Sequence, residues 1–580
     1  MYIKDFNKVY GYDFEETENK YLVGDIESYL DCNNEWVFKF GGIYDGVDLY
    51  EFDTIESMWS WLAHEDSIIY FHNLDFDMLF FFRYWKDNNP KRMEDLNLIQ
   101  SGGVSLGFRV GKVNFRNSLS IFPMSLKHVV IKFLKVNDAL WFHDKANVLD
   151  LKEDELKKYC WLDCIYLYQA LFKIWGYFYN KFRFDLKLTL PATALHVWKN
   201  FYLNDKDFLL RKYRHKFFDE NYYYGGHTEK FIAGQNIFRN VHYYDVNSLY
   251  PYIMRDMDYI NGKIVRVKPT MDKLKELFYS GILFYCEIVL NVDSERLRMF
   301  PTFDKKLKRN KYLFGHIKIK VSEIGINFIT TWGSWDNIIS VSQILIGEKG
   351  QVIKPFFDYV TDFYALRKSD ISNDLVYKLM LNSLYGKFGQ KIEVEKMVIN
   401  CTYDDEQREK LSRCVMVQDG LFLSVFKEKR FLSKKTHFRM DISGKVTEGS
   451  RLYMGNLINR HRVEHGDKSV IYTDTDSIIC YGEFDSALLN ESKLGYLSDE
   501  IGYKDNVILM GVKLYHFYKS KKQASKGLGK VDLQDYRRLV RGGRSFMNTR
   551  FSKFSKLVNK GFFGLYNAPH VIKEITERLD

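Results

Sequence analysis

Two apolar runs that end in carboxylates constrain this chain more than anything else in it. Val241-His-Tyr-Tyr leads into Asp245-Val-Asn-Ser-Leu-Tyr250-Pro. Far downstream, Ser469-Val-Ile-Tyr-Thr-Asp474-Thr-Asp476-Ser-Ile-Ile-Cys-Tyr reads as two strands joined by an acidic turn. Three carboxylates on two strands would repel one another unless cations sat between them, and oxygen-only ligands suit Mg²⁺ or Mn²⁺. Two such ions serve phosphoryl transfer: one lowers the pKa of an attacking hydroxyl and the other sits on a triphosphate. Asp245 and Asp476 are assigned as the ligands shared most directly, with Asp474 beside them and the backbone carbonyl of Val246 adding an oxygen. Asp-Thr-Asp at a hairpin tip is otherwise simply a good turn.

Between these runs lies Lys378-Leu-Met-Leu-Asn382-Ser-Leu-Tyr385-Gly386. Lys378, Asn382 and Tyr385 fall on one helical stripe, and Arg367 precedes Lys378 by eleven residues, close to three turns. Such a stripe makes a poor core face. It makes a good triphosphate face, with two cations, an amide and a ring for the incoming base. Gly386 would let the new base pair approach the backbone.

A second acidic set lies near the start. Asp25 and Glu27 are two apart on the strand Tyr21-Leu-Val-Gly-Asp-Ile-Glu, so they share a face. Asp77 follows a second apolar strand, Ser67-Ile-Ile-Tyr-Phe, which runs into a loop at His72-Asn73. Tyr159 and Asp163 are one turn apart on a helix read from Leu149 to Tyr177. Four carboxylates and a phenol can hold two metals about 4 Å apart, one activating water and the other steadying a leaving 3′ oxygen. Val37 to Tyr50 reads as a hairpin around Gly41-Gly42. Cys160 and Cys164 read as core.

The early set resembles the motifs of DEDD-type 3′–5′ exonucleases, with Tyr159-Cys-Trp-Leu-Asp163 as the specific element. The later motifs resemble, in order, the A, B and C motifs of family B DNA polymerases. The 133 residues from Asp245 to Lys378 and the 96 from Lys378 to Asp474 leave room for insertions. That layout is similar to protein-primed polymerases of small tailed phages. The resemblance implies an α/β multidomain chain, a ribonuclease H-like exonuclease followed by a right-hand polymerase with palm, fingers, thumb and two palm insertions.

The implied boundaries are exonuclease 1–188, palm 189–257 and 441–527, a terminal-protein-docking insertion 258–353, and fingers 354–390. A strand-displacement insertion at 391–440 and a thumb at 528–580 complete them. The implied roles are specific. Tyr159 orients water; His72, Asn73 and Phe76 hold the frayed primer end, although Phe76 reads equally well as core. Ser118 and Leu119 contact single-stranded primer and terminal protein, with Asn117 where an acidic residue is usual. Tyr250 is a steric gate against a ribose 2′-OH. Tyr223, Gly225 and Gly226 form the Tyr-x-Gly-Gly element that coordinates the two domains. Arg451, in Thr447-Glu-Gly-Ser-Arg451 with Ser450 in place of Ala, contacts primer-template. Lys513 and Tyr515 hold the primer end.

Composition bears on partners. Of 580 residues, 46% are hydrophobic and 28% charged, a globular balance. No run of about 18 apolar residues lacks charge, which excludes a membrane span. The net charge is +10, and residues 511–560 alone carry fourteen cations against Asp532 and Asp535, a footprint for a polyanion. Basic stretches at 305–320 and 427–445 could extend that track. Seven scattered cysteines and no export signal point to a reduced, intracellular protein of the host cytoplasm.

The expected activity is DNA-directed DNA polymerisation with strand displacement and intrinsic 3′–5′ proofreading. Two Mg²⁺ or Mn²⁺ ions would serve each site. The expected partners are primer-template DNA, deoxynucleoside triphosphates and a terminal protein as primer, on a monomer or a heterodimer with that protein. The alternatives are a family B polymerase that starts without a protein primer, or a nuclease or DNA-binding protein with an inert palm.

Overall fold

The computed structural model describes residues 1–16, 21–32, 36–64, 66–88, 97–101, 104–137, 152–205, 208, 217–219, 221–304, 309–390, 393–400, 411–418, 421–429, 439–525 and 532–540. The first sheet contains β1 (Leu22–Leu30), β2 (Trp36–Tyr44), β3 (Leu49–Phe52), β4 (Ile68–Phe71), β5 (Asn97–Ser101), β6 (Val104–Val110) and β7 (Val113–Asn117). Their order is β3-β2-β1-β4-β7-β6-β5. The central strands β1, β4 and β7 run parallel, and a parallel centre needs cover on both faces. Period-two alternation supplies it. Val23 joins the core under helix α2 (Glu153–Phe182), while Leu22 and Ile26 join the core that includes helix α1 (Leu74–Asn88). Asp25 and Glu27 share the face of Val23, and so look toward α2.

Three expectations are corrected here. Strand β2 passes straight through Gly41 and Gly42 rather than turning there. A Cβ on Gly42 would lie 2.9 Å from Cys160 Sγ, and one on Gly41 would lie 2.9 Å from Met58 Sδ, so these glycines admit neighbours packed against the sheet. The turn comes at residues 45–48, where Asp45 Oδ1 accepts from the Val47 and Asp48 N–H groups. Residues 149–151 lie outside the described residues, and α2 runs on to Phe182 before Arg183 ends it at φ 56°. Asp77 stands in the first turn of α1, directly after the His72-Asn73 turn, rather than in a loop beyond the strand. Asn73, at φ 73°, makes the sharp entry to that helix.

The second large sheet combines β8 (Thr228–Lys230) and β9 (Ile237–Val246) with strands from the end of the chain. These are β17 (Val470–Asp474), β18 (Ser477–Cys480), β19 (Leu497–Asp499), β20 (Asp505–Gly511), β21 (Leu514–Phe517) and β22 (Gln523–Ser525). The path is β22-β21-β20-β9-β18-β17-β8, and β19 also pairs with β9. Helix α3 (Leu249–Asp256) follows β9. Between β9 and β17 the chain leaves the sheet twice. The first excursion builds β10 (Ile264–Val267), β11 (Phe284–Val292), β12 (Gly315–Ser322) and β13 (Ile338–Gly347), in the order β10-β13-β11-β12. The second builds the antiparallel β14 (Glu393–Asn400), β15 (Leu411–Gln418) and β16 (Leu421–Lys429).

Helices α4 (Phe357–Ser369) and α5 (Asp374–Phe388) lie between the excursions. The three-turn spacing from Arg367 to Lys378 is corrected: a short 3-10 turn at Ile371–Asn373 puts them on separate helices. The far half of α2 braces this turn. Lys173 Nζ donates to Ser372 O at 3.0 Å and to Phe133 O at 2.7 Å, and the Tyr177 ring meets Tyr377 edge-on at 5.6 Å.

Helix α6 (Met440–His465) runs through the core, buried along most of its length. Lys445 therefore belongs to no basic track: it is 1% exposed, pairs with Glu323 at 2.5 Å and donates to Asp258 O. Lys320 is likewise spent on Asp219 and Lys318 on Glu287. Residues 305–308 and 430–438 of those stretches, residues 526–531 and 541–560 of the basic C-terminal block, and most of the expected thumb, 541–580, lie outside the described residues.

Candidate active site

Antiparallel pairing brings the palm carboxylates together. Ser477 pairs with Asp245 across β18 and β9, and the Val246 N–H donates to Asp476 O at 2.7 Å. This places Asp245 and Asp476 side by side at one end of the sheet. Burial raises the Asp245 carboxyl well above the usual carboxylate range, with Asp476 and Glu500 adding to it, and Asp476 is raised mainly by burial. Carboxylates held this way favour a cation or a proton between them. Asp474 stands beside them, with Lys513 Nζ 2.9 Å from its Oδ1 and the Thr228 hydroxyl donating to it at 3.4 Å. Thr475, between the two aspartates, is left-handed at φ 69°, and its N–H donates to His227 O at 2.7 Å.

Over this pocket stands the stripe of α5. Lys378 and Asn382 are exposed and Tyr385 half-buried; the Lys378 charge pulls down on Asp245, Asp476 and Glu500. Arg367 arrives from α4 and donates through Nη1 to Ser248 Oγ at 3.1 Å. Tyr250, on the first turn of α3, stacks on Tyr385 with ring centroids 4.5 Å apart and planes 24° from parallel. A Cβ placed on Gly386 would meet nothing within 4 Å, so that face of α5 is open.

The neighbouring elements hold the pocket from behind. Arg451 Nη1 donates to both Tyr224 O and Gly225 O at 2.9 Å, which commits this 4%-exposed guanidinium to the Tyr-x-Gly-Gly loop. Ser450 satisfies its buried hydroxyl on Val446 O one turn back, so the change from Ala leaves no orphaned polar group. A Cβ on Gly226 would lie 2.6 Å from Thr475 Cγ2, whereas Gly225 faces open space. Tyr223 packs where Gly389 leaves room. Tyr515 lies in the core of the palm, its hydroxyl 3.4 Å from that of Tyr243.

The second acidic set also assembles. Carboxylate oxygens of Asp25, Glu27 and Asp163 all lie within 4.8 Å of one another. Strand β1 contributes the first two and α2 the third, with Tyr159 one turn before it. Glu27 is 2% and Asp77 3% exposed, but Asp77 is not a member of that group of three. Oxygen donors of this kind fit a hard divalent cation.

Nearby, burial pushes His72 down to about 4, leaving the imidazole neutral. Its Nε2–H donates to Met124 O at 2.8 Å, and its Nδ1 accepts from Ser118 Oγ at 2.9 Å. His72 is thus tied to Ser118 rather than facing outward. Asn117 explains its own departure from an acidic residue: its amide donates to Ser105 O while its Oδ1 accepts from Leu119 N–H, and a carboxylate could do only the second. Asn73 is exposed, and Phe76 is half-buried edge-on to Trp36 and Phe80.

Sequence reasoning missed Glu500 and Lys522, which pair beside Asp245. No spacing pointed to them; only the pairing of Ser498 in β19 with Asp245 brings that loop to the site.

The family model for DNA polymerase type B, organellar and viral, matches residues 131–429, just over half of the chain. The chain belongs to that family. A probable DNA polymerase of Ascobolus immersus is 23% identical over 437 residues, 68% of this chain and 34% of its own length. The DNA-directed DNA polymerase of Enterobacteria phage PRD1 is 25% identical over 524 residues, 86% of this chain and 82% of its own. The type B chain described here thus spans about a third of the length of the Ascobolus relative. Among solved structures, Phi29 DNA polymerase complexed with primer-template DNA and incoming nucleotide substrates superposes with a TM-score of 0.66 at 17% identity. The match covers 92% of this chain and 96% of that one, so the two share the multidomain polymerase fold.

Proposed function

We propose that this type B chain is a DNA-directed DNA polymerase with an intrinsic 3′–5′ exonuclease, primed by a terminal protein in the host cytoplasm. One observation carries the reading: Asp245 and Asp476 share a half-buried pocket beneath Lys378 of α5, where Tyr385 of the same helix stacks on Tyr250 of α3.

Two divalent cations of the Mg²⁺ or Mn²⁺ class fit each acidic set. In the palm, Asp245, Asp476, Asp474 and the Val246 carbonyl would hold them; in the exonuclease half, Asp25, Glu27, Asp163 and Asp77. When bound, they lower the pKa of the attacking oxygen and neutralise charge on the leaving group. The chain's own side chains do the rest. Arg367 and Lys378 bring positive charge to a triphosphate, Asn382 adds an amide, and Tyr250 and Tyr385 offer stacked rings to the sugar and base. In the other site the Tyr159 hydroxyl orients the attacking water.

Primer-template DNA is the partner that a net charge of +10 favours. The two excursions, a four-stranded and a three-stranded sheet at the positions where the protein-primed layout has its insertions, support a terminal protein as primer. Among the described residues no helix is long and apolar enough to cross a membrane.

The deciding experiment is primer extension by the purified chain. Asp476→Ala should lower nucleotide addition by at least about 10³-fold while primer degradation continues at the parent rate. Loss of both activities in a folded variant would contradict two separate sites. Incubation with labelled dATP, Mg²⁺ and the candidate terminal protein should yield a covalent nucleotide adduct. Extension of DNA primers without any adduct would favour a family member that starts without a protein.

A further inference from the structure

Behind the catalytic turn a chain of side chains leads out to the first excursion. Strand β8 pairs with β17 so that Asp474 faces Thr228 and Thr473 faces Glu229. Just before it, His227 accepts the Thr475 N–H at its carbonyl. The His227 side chain is 1% exposed, and its Nε2 lies 2.7 Å from Glu229 Oε2. Burial lowers the imidazole pKa, so the neutral ring donates that bond. The other Glu229 oxygen is 2.7 Å from Arg298 Nη2, and Arg298 belongs to the excursion between β11 and β12. Arg298 is itself fixed by Glu295, with Nε to Oε2 at 3.0 Å, and lies over the Phe314 ring. Tyr312, from the same excursion, stacks on the His227 ring with centroids 3.8 Å apart.

We propose that His227, Glu229 and Arg298 form a positioning relay, through which the first excursion sets the backbone of Thr475 and hence the spacing of Asp474 and Asp476. The inference rests on the polymerase reading above. Three features point to positioning rather than to packing alone. Thr475 is left-handed, a conformation costly for a β-branched residue that persists only where its surroundings over-determine it. Gly226 lies so close to the Thr475 side chain that a Cβ on it would come within 2.6 Å of Cγ2, while the His227 carbonyl holds the Thr475 N–H, so neighbouring residues flank the turn on two sides. Finally, those residues are anchored by a half-buried ion pair at 2.7 Å that joins two parts of the chain 69 positions apart. Among the described residues Arg298 reaches the turn through Glu229 and His227, so a displacement of the excursion would be passed to the aspartates.

Ligand placement of this kind affects turnover more than substrate affinity, and a 1 Å misplacement costs up to about 10²-fold. The test uses the full chain with primer-template DNA. His227→Phe keeps the ring stacked on Tyr312 but removes the bond to Glu229; Arg298→Gln breaks the outer ion pair; His227→Gln keeps a donor for Glu229. Mn²⁺ binding is followed by electron paramagnetic resonance without DNA or nucleotide, in chains also carrying Asp25→Ala and Asp163→Ala, so that the palm ions are counted.

The expected result is a fall in kcat of about 10-fold or more for His227→Phe and Arg298→Gln. KM for nucleotide should stay within about twofold and Mn²⁺ affinity should weaken, with His227→Gln close to wild type on every measure. A folded His227→Phe with wild-type kcat and Mn²⁺ affinity overturns the relay, as does a His227→Gln equally impaired. Should His227→Phe not fold, Arg298→Gln decides by the same criteria. A wild-type chain that extends no primer overturns the polymerase reading and the relay with it; one that extends primers, with unaffected variants, overturns the relay alone.

Discussion

Tyr250 carries the sharpest consequence at the scale of single residues. Its ring lies flat against Tyr385, and burial pushes its phenol up to about 12, so it is a neutral, rigid wall. On the proposed polymerase reading, a ribose 2′-OH would meet that wall. Tyr250→Val should raise incorporation of ribonucleotides relative to deoxynucleotides by about 10-fold or more, read as the ratio of kcat/KM values; an unchanged ratio would remove Tyr250 from that role. Local spacing and the strand or helix period were enough to set Asp245 at a strand end and Lys378 and Asn382 on one helical stripe, whereas Tyr250 entered only through the family resemblance. The sequence spoke poorly for Arg451, His72 and Tyr515. Each of these finds its partners in distant segments: the loop carbonyls at 224–225, Ser118 and Met124, and the palm core. Only the fold supplies such partners, so their commitments were invisible beforehand.

Among the elements, α2 and α6 show why close packing sets function. Gly42 lets α2 approach β2 closely, and the same helix brings Asp163 within 4.8 Å of Asp25 and Glu27 on β1. Gly42→Ala should force the helix outward, cost about 1–3 kcal/mol, and slow primer degradation more than nucleotide addition; equal effects on both rates would place the strain elsewhere. Helix α6 holds Glu448 wholly buried, where it accepts from the Ser322 N–H and the Tyr222 hydroxyl. Burial raises its carboxyl to about 7 from 4.5.

In that interval the folded chain keeps a proton that the unfolded chain has lost. This contribution to stability is therefore intact below about pH 4.5, declines as the pH climbs, and is gone above about 7, a span of roughly 3 kcal/mol at most. Glu448→Gln should flatten the drop in thermal midpoint between pH 5 and 8; the same drop in both proteins would mean Glu448 ionises like an ordinary side chain. The element types themselves were largely readable. The misplaced hairpin at Gly41-Gly42 has a physical cause: a glycine pair signals a turn or a close contact equally well, and nothing local says which.

For the whole molecule, two acidic sets on two separate sheets predict separable activities. Asp25→Ala with Asp77→Ala should eliminate primer degradation, by at least about 10³-fold, and leave extension intact, as measured on one labelled primer with and without nucleotides. Persistent degradation would mean that the nuclease chemistry lies elsewhere. The order of these sheets along the chain was legible because each rests on short apolar strands with carboxylates at fixed offsets. The stitching between them was not: the ion pairs of Lys445, Arg298 and Lys320 join residues more than 65 positions apart, and charge alone suggested only a nucleic-acid track.

Helix α2, thirty residues and about 45 Å long, is a single beam shared by both workshops. Its first turns carry Asp163 of the early acidic set and its later turns brace the short turn between α4 and α5. Severing the chain near residue 188 would leave the beam with one half and strip the other of its support. An isolated C-terminal piece should open and close its fingers loosely, and the two workshops are best studied under one roof.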